Sequence, residues 1–460
     1  MRVMPLPAGG TDLDTDTLII GAGACGMTAA LAARARGRNV LVLERDAVPA
    51  GSTALSAGLI PAAGTRFQRA AGIQDDAAAT FAADIQRKAH GENRADIVAA
   101  LTRDAARVLE WLADSHGLDF SVVDDFDYPG HSRRRMHGLP DRSGRALVDA
   151  LRAACEAAGV DIVCERRAET LFVEGAQRIG GVRVRRPDGD TEDIGCARLI
   201  LACNGFGANR AMVARHMPQI ADAHYFGHPG NEGEALAWGE ALGAAIRHPG
   251  AFQGHGNVAH PHGILITWAV IAEGGMQLNA RGERFWNESQ GYSEAARRVL
   301  AQPGGIAVTV FDARIAAIAR QFADFRDAEA QGAVRRFDDT DALAAAFELP
   351  PEAVRRSLAQ ADAACDGVSP DPFGRDFAGA PPLAPPLMAV RVTGALFHTQ
   401  GGLDIAPDGR VLRAGGGTFD NLFAAGGAAC GVSGAGDAGY LSGNGLLSAV
   451  VMGHRAGAAS

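Results

Sequence analysis

Asp16-Thr17-Leu18-Ile19-Ile20-Gly21-Ala22-Gly23-Ala24-Cys25-Gly26 is the stretch on which the fold turns. Residues 16–20 read as a short buried strand, and residues 27–35, rich in alanine, as a helix. Residues 39–43 form a second apolar run that ends at Glu44, 18 residues beyond Gly26. A lone GxGxxG is a weak signal. Placed after a strand, at the start of a helix and ahead of an acidic strand end, it predicts a dinucleotide-binding βαβ unit. Gly21 permits the tight turn, Gly23 admits backbone N–H groups to a pyrophosphate, and Gly26 allows helix and strand to pack closely. The helix N-terminus faces the phosphates with a partial positive charge. Glu44 is placed to accept the ribose hydroxyls.

Working outward, residues 76–114 and 143–158 show helical spacing. Residues 160–164 and 198–202 read as strands, and 170–184 as a meander turning at Gly180-Gly181. From 235 to 377 the chain is irregular, with Pro/Gly loops, histidines and Ala-rich helical patches. The prolines of 381–386 suggest a return linker. Strand signals resume at 388–397 and 422–425, before a final helix over 443–456. The predicted class is α/β: a Rossmann-like dinucleotide-binding domain split between residues 1–234 and 378–460, with an α+β domain inserted at 235–377. A length of 460 residues suits two such units.

Composition narrows the function. The 59 glycines are nearly double the usual ~7% and gather in short motifs, which predicts tight turns around a ligand. Net charge is −9 with no dense basic patch, which argues against nucleic acid as a partner. Arg133-Arg134-Arg135 is too short a run to change that and reads as a solvated loop. Seven scattered cysteines without CxxC argue against disulfides, zinc, haem or an iron–sulfur cluster. The expectation is no metal, a reducing cytoplasm and no membrane span, since no apolar run reaches ~18 residues. Oligomeric state is not legible.

FAD is favoured over NAD by two further segments. Gly51-Ser52-Thr53-Ala54-Leu55-Ser56-Ala57-Gly58 reads as a second loop of small residues suited to a flat ring. Leu422-Phe423-Ala424-Ala425-Gly426-Gly427 leads to the last helix, whose N-terminus would stabilise an anionic reduced ring. On these segments, on 199–207, and on Gly230-Asn231-Glu232-Gly233-Glu234, Arg284-Phe285-Trp286-Asn287-Glu288 and His398-Thr399-Gln400-Gly401-Gly402, the chain resembles the succinate dehydrogenase/fumarate reductase flavoprotein superfamily. Within it, the 3-ketosteroid dehydrogenase-like branch is the nearest in pattern. The resemblance runs over nearly the whole chain in family order. It implies that the domain split between 1–234 and 378–460 is an FAD-binding domain and that the α+β insert at 235–377 is a capping domain. It implies FAD contacts from Gly21, Gly23, Ala24, Cys25, Gly26, Glu44, Arg45, Gly51, Ser52, Thr53, Ser56, Ala57, Gly58, Asn204, Gly205, Gly427, Gly443, Asn444 and Leu446. Relatives with covalent flavin carry a histidine where Ser52 stands, which implies non-covalent FAD.

The departures speak to substrate. Fumarate reductases grip a dicarboxylate with arginines, one a few residues past the RFxNE motif and one before the C-terminal Gly-Asn pair. The matching residues here are Tyr292 and Tyr440, two of only four tyrosines. A phenol cannot make the bidentate charged contact of a guanidinium, but it can bond a ketone oxygen and exchange a proton. Asn287-Glu288-Ser289 and Tyr440-Leu441-Ser442-Gly443 resemble the ketosteroid dehydrogenase pattern. The implied chemistry is dehydrogenation α,β to the carbonyl of a cyclic ketone. Tyr440, helped by the N–H of Gly443 or Asn444, holds the oxygen; Tyr292 takes the α-proton; the β-hydride goes to flavin N5. Tyr292, with an ordinary pKa near 10, must either be lowered by its neighbours or pass the proton on. Ser442 and His398 are further candidates, and His255, His131, His137 and Tyr128 stand as possible pocket residues. Two alternatives stay open: a reductase of unsaturated or polycarboxylic acids, with Arg133–Arg135 replacing the lost clamps, and a non-catalytic flavoprotein. The electron acceptor is external, and oxygen, a quinone or a carrier are all compatible.

Overall fold

A computed structural model describes residues 1–124, 127–377 and 380–460. Its first sheet runs Arg2–Pro5, Arg167–Glu174, Arg178–Arg185, Thr191–Leu201, Leu13–Ile20, Val40–Leu43, Asp161–Val163. The dinucleotide strand Leu13–Ile20 lies between Val40–Leu43 and Thr191–Leu201, parallel to both. Val40–Leu43 and the Leu199–Leu201 end of the other neighbour are apolar and buried because a strand covered by helices on its faces has no wet side there. Thr418–Ala424 returns from far along the chain to pair parallel with Thr191–Leu201, so this unit is split in sequence.

The helix Ala24–Arg34 is buried from Ala24 through Ala33. Its alanines let the C-terminal helix Gly453–Ala459 approach very closely: a Cβ on Gly453 would sit 2.6 Å from the Cys25 carbonyl oxygen. The last helical stretch is continuous from Asn444 to Ala459 through a π-helical segment at Ser448–Met452. The expected helix and strand positions of this half recur, with differences. The N-terminal tail contributes the strand Arg2–Pro5, and Leu13–Ile20 begins three residues before residue 16. Gly180 and Gly181 lie inside the strand Arg178–Arg185, not in a turn. There a Cβ on Gly181 would meet the Ile194 carbonyl at 2.5 Å, so close strand approach, not a bend, selects glycine. Gly51–Ala54 is a short helix, not a loop.

The second sheet runs Ile264–Leu265, Phe252–Ala259, Leu387–Thr399, Ile306–Asp312, Met276–Leu278, with His224–Tyr225 and Arg335–Phe337 also on Leu387–Thr399. Helices Tyr292–Leu300, Ala313–Ala319, Thr340–Phe347 and Pro351–Cys365 accompany it. The resumption expected at residue 378 lies outside the described residues. Pairing places Leu387–Thr399 in this second sheet, whereas the sequence grouped it with the first. An apolar strand states its burial but not its partner. Among the described residues no helix is long and apolar enough to cross a membrane.

Candidate active site

One continuous cavity runs from Glu44 and Arg45 at one end, past the glycine turns, to Tyr292 and Trp268 at the other. Gly21 sits at φ +105°, a conformation that L side chains rarely adopt, at the mouth of the turn. Thr53 Oγ1 accepts the Ala24 N–H at 3.1 Å and so ties Gly51–Ala54 to the helix start. Glu44 accepts N–H groups of Ala22 at 2.9 Å and Asp46 at 3.0 Å. It is thereby fixed facing the cavity with acceptor capacity to spare.

Of the implied cofactor contacts, Gly21, Gly23, Ala24, Cys25, Glu44, Arg45, Gly51, Ser52, Thr53, Ser56, Ala57, Asn204, Gly427, Gly443 and Leu446 line this cavity. Gly26, Gly58, Gly205 and Asn444 are not among its lining residues. A Cβ on Gly26 would collide with the Gly21 carbonyl, and one on Gly205 with the Thr399 side chain. A Cβ on Gly58 would lie 2.5 Å from the Ser143 carbonyl oxygen. Asn444 is fully buried at the start of the last helix. Ser52 accepts from Asn204 at 3.1 Å and Asn231 at 2.8 Å, and Asn231 also bonds the Tyr225 hydroxyl at 2.6 Å. Arg45 bonds the Gly230 carbonyl and Glu234. Asn231 and Gly445 also face the cavity; Asn231 belongs to the 230–234 motif, and only three-dimensional packing selects Gly445.

The residues fit FAD. The cavity is extended, one end offers Glu44 and the glycine turn, and the other is largely aromatic. At the flavin end, Gly443 through Leu446 begin the last helix, where Asn444 Oδ1 and Ser448 Oγ are buried without a hydrogen-bond partner.

The second sheet supplies the far wall. Phe252–Ala259 pairs with Leu387–Thr399 with register shifts at Gln253/Gly254 and His255/Val258. Such bulges re-aim side chains, and His255 and His398 both line the cavity. His255 stacks on Tyr292 at 4.9 Å and on Phe397 at 5.1 Å, and meets Trp268 edge-on at 5.7 Å. Burial pushes its pKa down to about 3, and that of His398 to about 4. Both are neutral donors at pH 7. Nδ1 of His255 accepts the Asn257 N–H and Nδ1 of His398 bonds the Gln400 amide, which leaves the proton of each on Nε2.

Tyr292 is the first residue of helix Tyr292–Leu300, preceded by Gly291 at φ +130°. The RFxNE segment positions it. Arg284 and Glu288 pair in the buried cap at 2.7 Å, with Arg375 and Asp371 completing the cluster. Tyr292 and Tyr440 rings meet edge-on at 5.9 Å. The Tyr292 phenol lies within hydrogen-bonding reach of the Tyr440 and Ser442 hydroxyls, and the Tyr440 phenol within reach of the Gly443 and Gly445 backbone. Burial raises both: Tyr440 to about 12, and Tyr292 well above its ordinary value, with the neighbouring Tyr440 adding to the rise. The lowering that the sequence left open for Tyr292 does not occur. Tyr128 and Ser442 also line the cavity.

Arg133–Arg135 do not line it. Arg133 pairs with Asp75, Arg134 with Asp127, and Arg135 with Asp76 and Asp84. Arg135 is fully buried, which corrects the solvated-loop expectation for that residue. Among the described lining residues the arginines are Arg45, Arg166 and Arg167. Arg45 and Arg167 are engaged with Glu232 and Glu234, at the Glu44 end.

Comparison with known proteins gives a consistent result. The NADH:fumarate oxidoreductase of Klebsiella pneumoniae is 28% identical over 445 residues, 96% of this chain and 47% of that protein. The chain thus spans about half of that relative's length. The 4-oxocyclohexanecarboxylate 2-dehydrogenase of Sinomonas cyclohexanicum is 26% identical over 354 residues, 61% of this chain and 60% of that one. The crystal structure of a 3-ketosteroid-Δ4-(5α)-dehydrogenase from Rhodococcus jostii superposes with a TM-score of 0.79 at 22% identity, covering 99% of both chains, and shares the fold. The model of the FAD binding domain family matches residues 16–446, nearly the whole chain. This protein is therefore an FAD-dependent oxidoreductase that belongs to the FAD binding domain family, within the succinate dehydrogenase/fumarate reductase flavoprotein superfamily.

Proposed function

We propose that this enzyme interconverts a cyclic ketone and its α,β-unsaturated form, with residues 1–234 and the C-terminal segment holding non-covalent FAD and the second sheet capping it. The observation that carries the reading is the far end of the cavity: two phenols and two neutral imidazoles stand there, and the lining arginines are all at the other end. A dicarboxylate there would pay for desolvation without an opposite charge. A neutral carbonyl needs only hydrogen-bond donors. The curated relative named for 4-oxocyclohexanecarboxylate supports the ring-ketone class.

Bound FAD supplies the hydride-exchanging partner. Tyr440 and the Gly443 and Gly445 N–H groups donate to the ketone oxygen, where charge develops as the α-carbon loses its proton; such donors are each worth ~3–4 kcal/mol. Tyr292 exchanges the α-proton. Its raised pKa keeps the phenol protonated at rest, so in the reducing direction the proton for the α-carbon is in place. In the oxidising direction the α-proton moves onto Tyr292 as the phenolic proton of Tyr292 moves to Tyr440 and that of Tyr440 to the ketone oxygen, which gives it up to solvent as the enone forms, so no free phenolate stands. His398 and His255 donate through Nε2 and exclude water.

The test is anaerobic stopped flow. Reduced enzyme mixed with cyclohex-2-enone should regain its oxidised flavin absorbance, while fumarate should leave it bleached. Tyr292→Phe and Tyr440→Phe should each slow the step about 10²- to 10³-fold with FAD still bound. Reoxidation by fumarate alone, or undiminished rates in both variants, would overturn the proposal in favour of a carboxylate reductase.

A further inference from the structure

Behind the turn that carries Tyr440 to Gly443 lies a cluster of buried charges that the proposed reaction does not touch. Arg135 makes two bonds of 2.9 Å to Asp76 and one of 2.5 Å to Asp84. The three side chains are at most 1% exposed. Burying three ions carries a desolvation penalty of several kcal/mol each before pairing, so the cluster is weak evidence of stabilisation. What it holds is more telling.

Nη1 of Arg135 also lies 3.1 Å from His131 Nδ1. A guanidinium can only donate, so Nδ1 accepts and the imidazole proton is on Nε2. That Nε2 lies 2.9 Å from the Ser442 carbonyl oxygen, 311 residues away in sequence, and donates to it. Ser132 adds its N–H and hydroxyl to Asp84, at 2.9 and 2.8 Å, and so pins the residue after His131. Arg135 donates both ways, to the buried carboxylates and to the imidazole, and the imidazole donates onward to the carbonyl.

The Ser442 carbonyl and the Gly443 N–H belong to one planar peptide unit and point in opposite directions. Fixing the oxygen on one side aims the N–H to the other, where Gly443 lines the cavity and lies within reach of the Tyr440 hydroxyl. Gly443 sits at φ +82°. As a glycine it can adopt alternative conformations at little steric cost, so an unanchored peptide here is free to rotate its N–H out of the cavity.

We propose that His131 is a positioning residue: its Nε2–H, oriented by the Asp76–Arg135–Asp84 cluster, holds the Ser442–Gly443 peptide plane so that the Gly443 N–H faces the substrate oxygen beside Tyr440. The functional half rests on the reading that Tyr440 and Gly443 receive a ketone oxygen. The strut itself does not.

The experiment compares His131→Gln and His131→Asn in the FAD-loaded protein. Glutamine places a donor where Nε2 stands, whereas asparagine reaches only the Nδ1 side. Backbone hydrogen–deuterium exchange, followed by mass spectrometry on peptides spanning 440–446, reads the strut without any substrate. Exchange there should rise at least tenfold in His131→Asn and stay within about threefold of the parent in His131→Gln. With cyclohex-2-enone, kcat should fall 10- to 100-fold in His131→Asn with KM changed less than threefold, and His131→Gln should recover most of it. Parental exchange and kcat in both variants would overturn the proposal. So would equal losses in both variants together with lost FAD and a lower melting temperature, because that pattern marks general loop support. Should His131→Asn fail to fold, parental exchange over 440–446 in His131→Gln still supports the strut, and accelerated exchange refutes it. If the parent enzyme ignores cyclohex-2-enone, the ketone reading fails while the exchange result decides the strut alone.

Discussion

Lowering the pH from 7.5 to 5.5 should strip this protein of much of its stability, and the size of the loss can be worked out from its histidines. Burial depresses His131, His137, His398 and His454 to about 4 and His255 to about 3, against an ordinary 6.5. Each is neutral in the fold at pH 5.5, but protonated in about nine of ten unfolded chains. A depressed histidine contributes stability that is fully present above about pH 6.5. That contribution drains away as the pH falls towards the folded value near 4, because the unfolded state binds the extra proton. At pH 5.5 the loss is about 1.4 kcal/mol per histidine, or roughly 7 kcal/mol for the five. Raised carboxyls at Glu234 and Glu294 oppose this by taking up protons in the fold, so a net uptake of about two to four protons on unfolding is expected. Against a typical total of ~5–15 kcal/mol, that loss is decisive. Urea unfolding at 25 °C, with FAD in fixed excess and followed by near-UV circular dichroism, should show the midpoint falling steeply between pH 7 and 5.5. A slope equivalent to less than about one proton over that range would refute the claim that these imidazoles are desolvated.

Three other outcomes follow from named contacts. Acid precipitation should leave the yellow cofactor in the supernatant, because Ser52 is held by Asn204 and Asn231 and offers no imidazole for a covalent link; colour retained in the pellet would contradict this. Lys88, the single lysine of the chain, pairs with Glu294 in the first turn of the Tyr292 helix and donates to the Gln290 carbonyl at 2.7 Å. Lys88→Met should cost about 3 kcal/mol of stability by leaving a buried carboxylate unpaired, and adding Glu294→Gln should recover part of it in a double-mutant cycle. Gly453→Val should destabilise by at least about 2 kcal/mol, read as a lower melting temperature, since even a Cβ there meets the Cys25 carbonyl.

The dinucleotide half was legible because its signals are local. A glycine turn with a strand before it, a helix after it and Glu44 at the next strand end admits few other structures. The expected two-tyrosine pair is also found at one site, because motif neighbours such as Arg284–Glu288 fix Tyr292 from within a few residues. What escaped the sequence is non-local. Leu387–Thr399 joins the second sheet by pairing with Phe252–Ala259 and Ile306–Asp312, and no residue of the strand encodes that choice. Gly58 and Gly205 face close contacts, with the Ser143 carbonyl and the Thr399 side chain, whose partners lie far along the chain. Arg135 looks like one of three solvated arginines and is fully buried, because Asp76 and Asp84 come from other segments to meet it.

The placement of charge ties these points together. Arg45 and Arg167 are engaged with Glu232 and Glu234 beside Glu44, and Arg135 with Asp76 and Asp84 behind Ser442. Between them, the groups around Tyr292 and Tyr440 are aromatic rings, hydroxyls and neutral imidazoles. A cation beside Tyr292 would lower its pKa and make it a better resting base, but it would also attract carboxylates into the pocket. With no cation among the main influences on either phenol from the described residues, the donors stay protonated and the local dielectric low. Hydrogen bonds to a developing enolate are then stronger than they would be in water. The same burial makes His255 and His398 sensitive to acid, so on the proposed reading the ketone pocket is itself one source of the acid-labile fold.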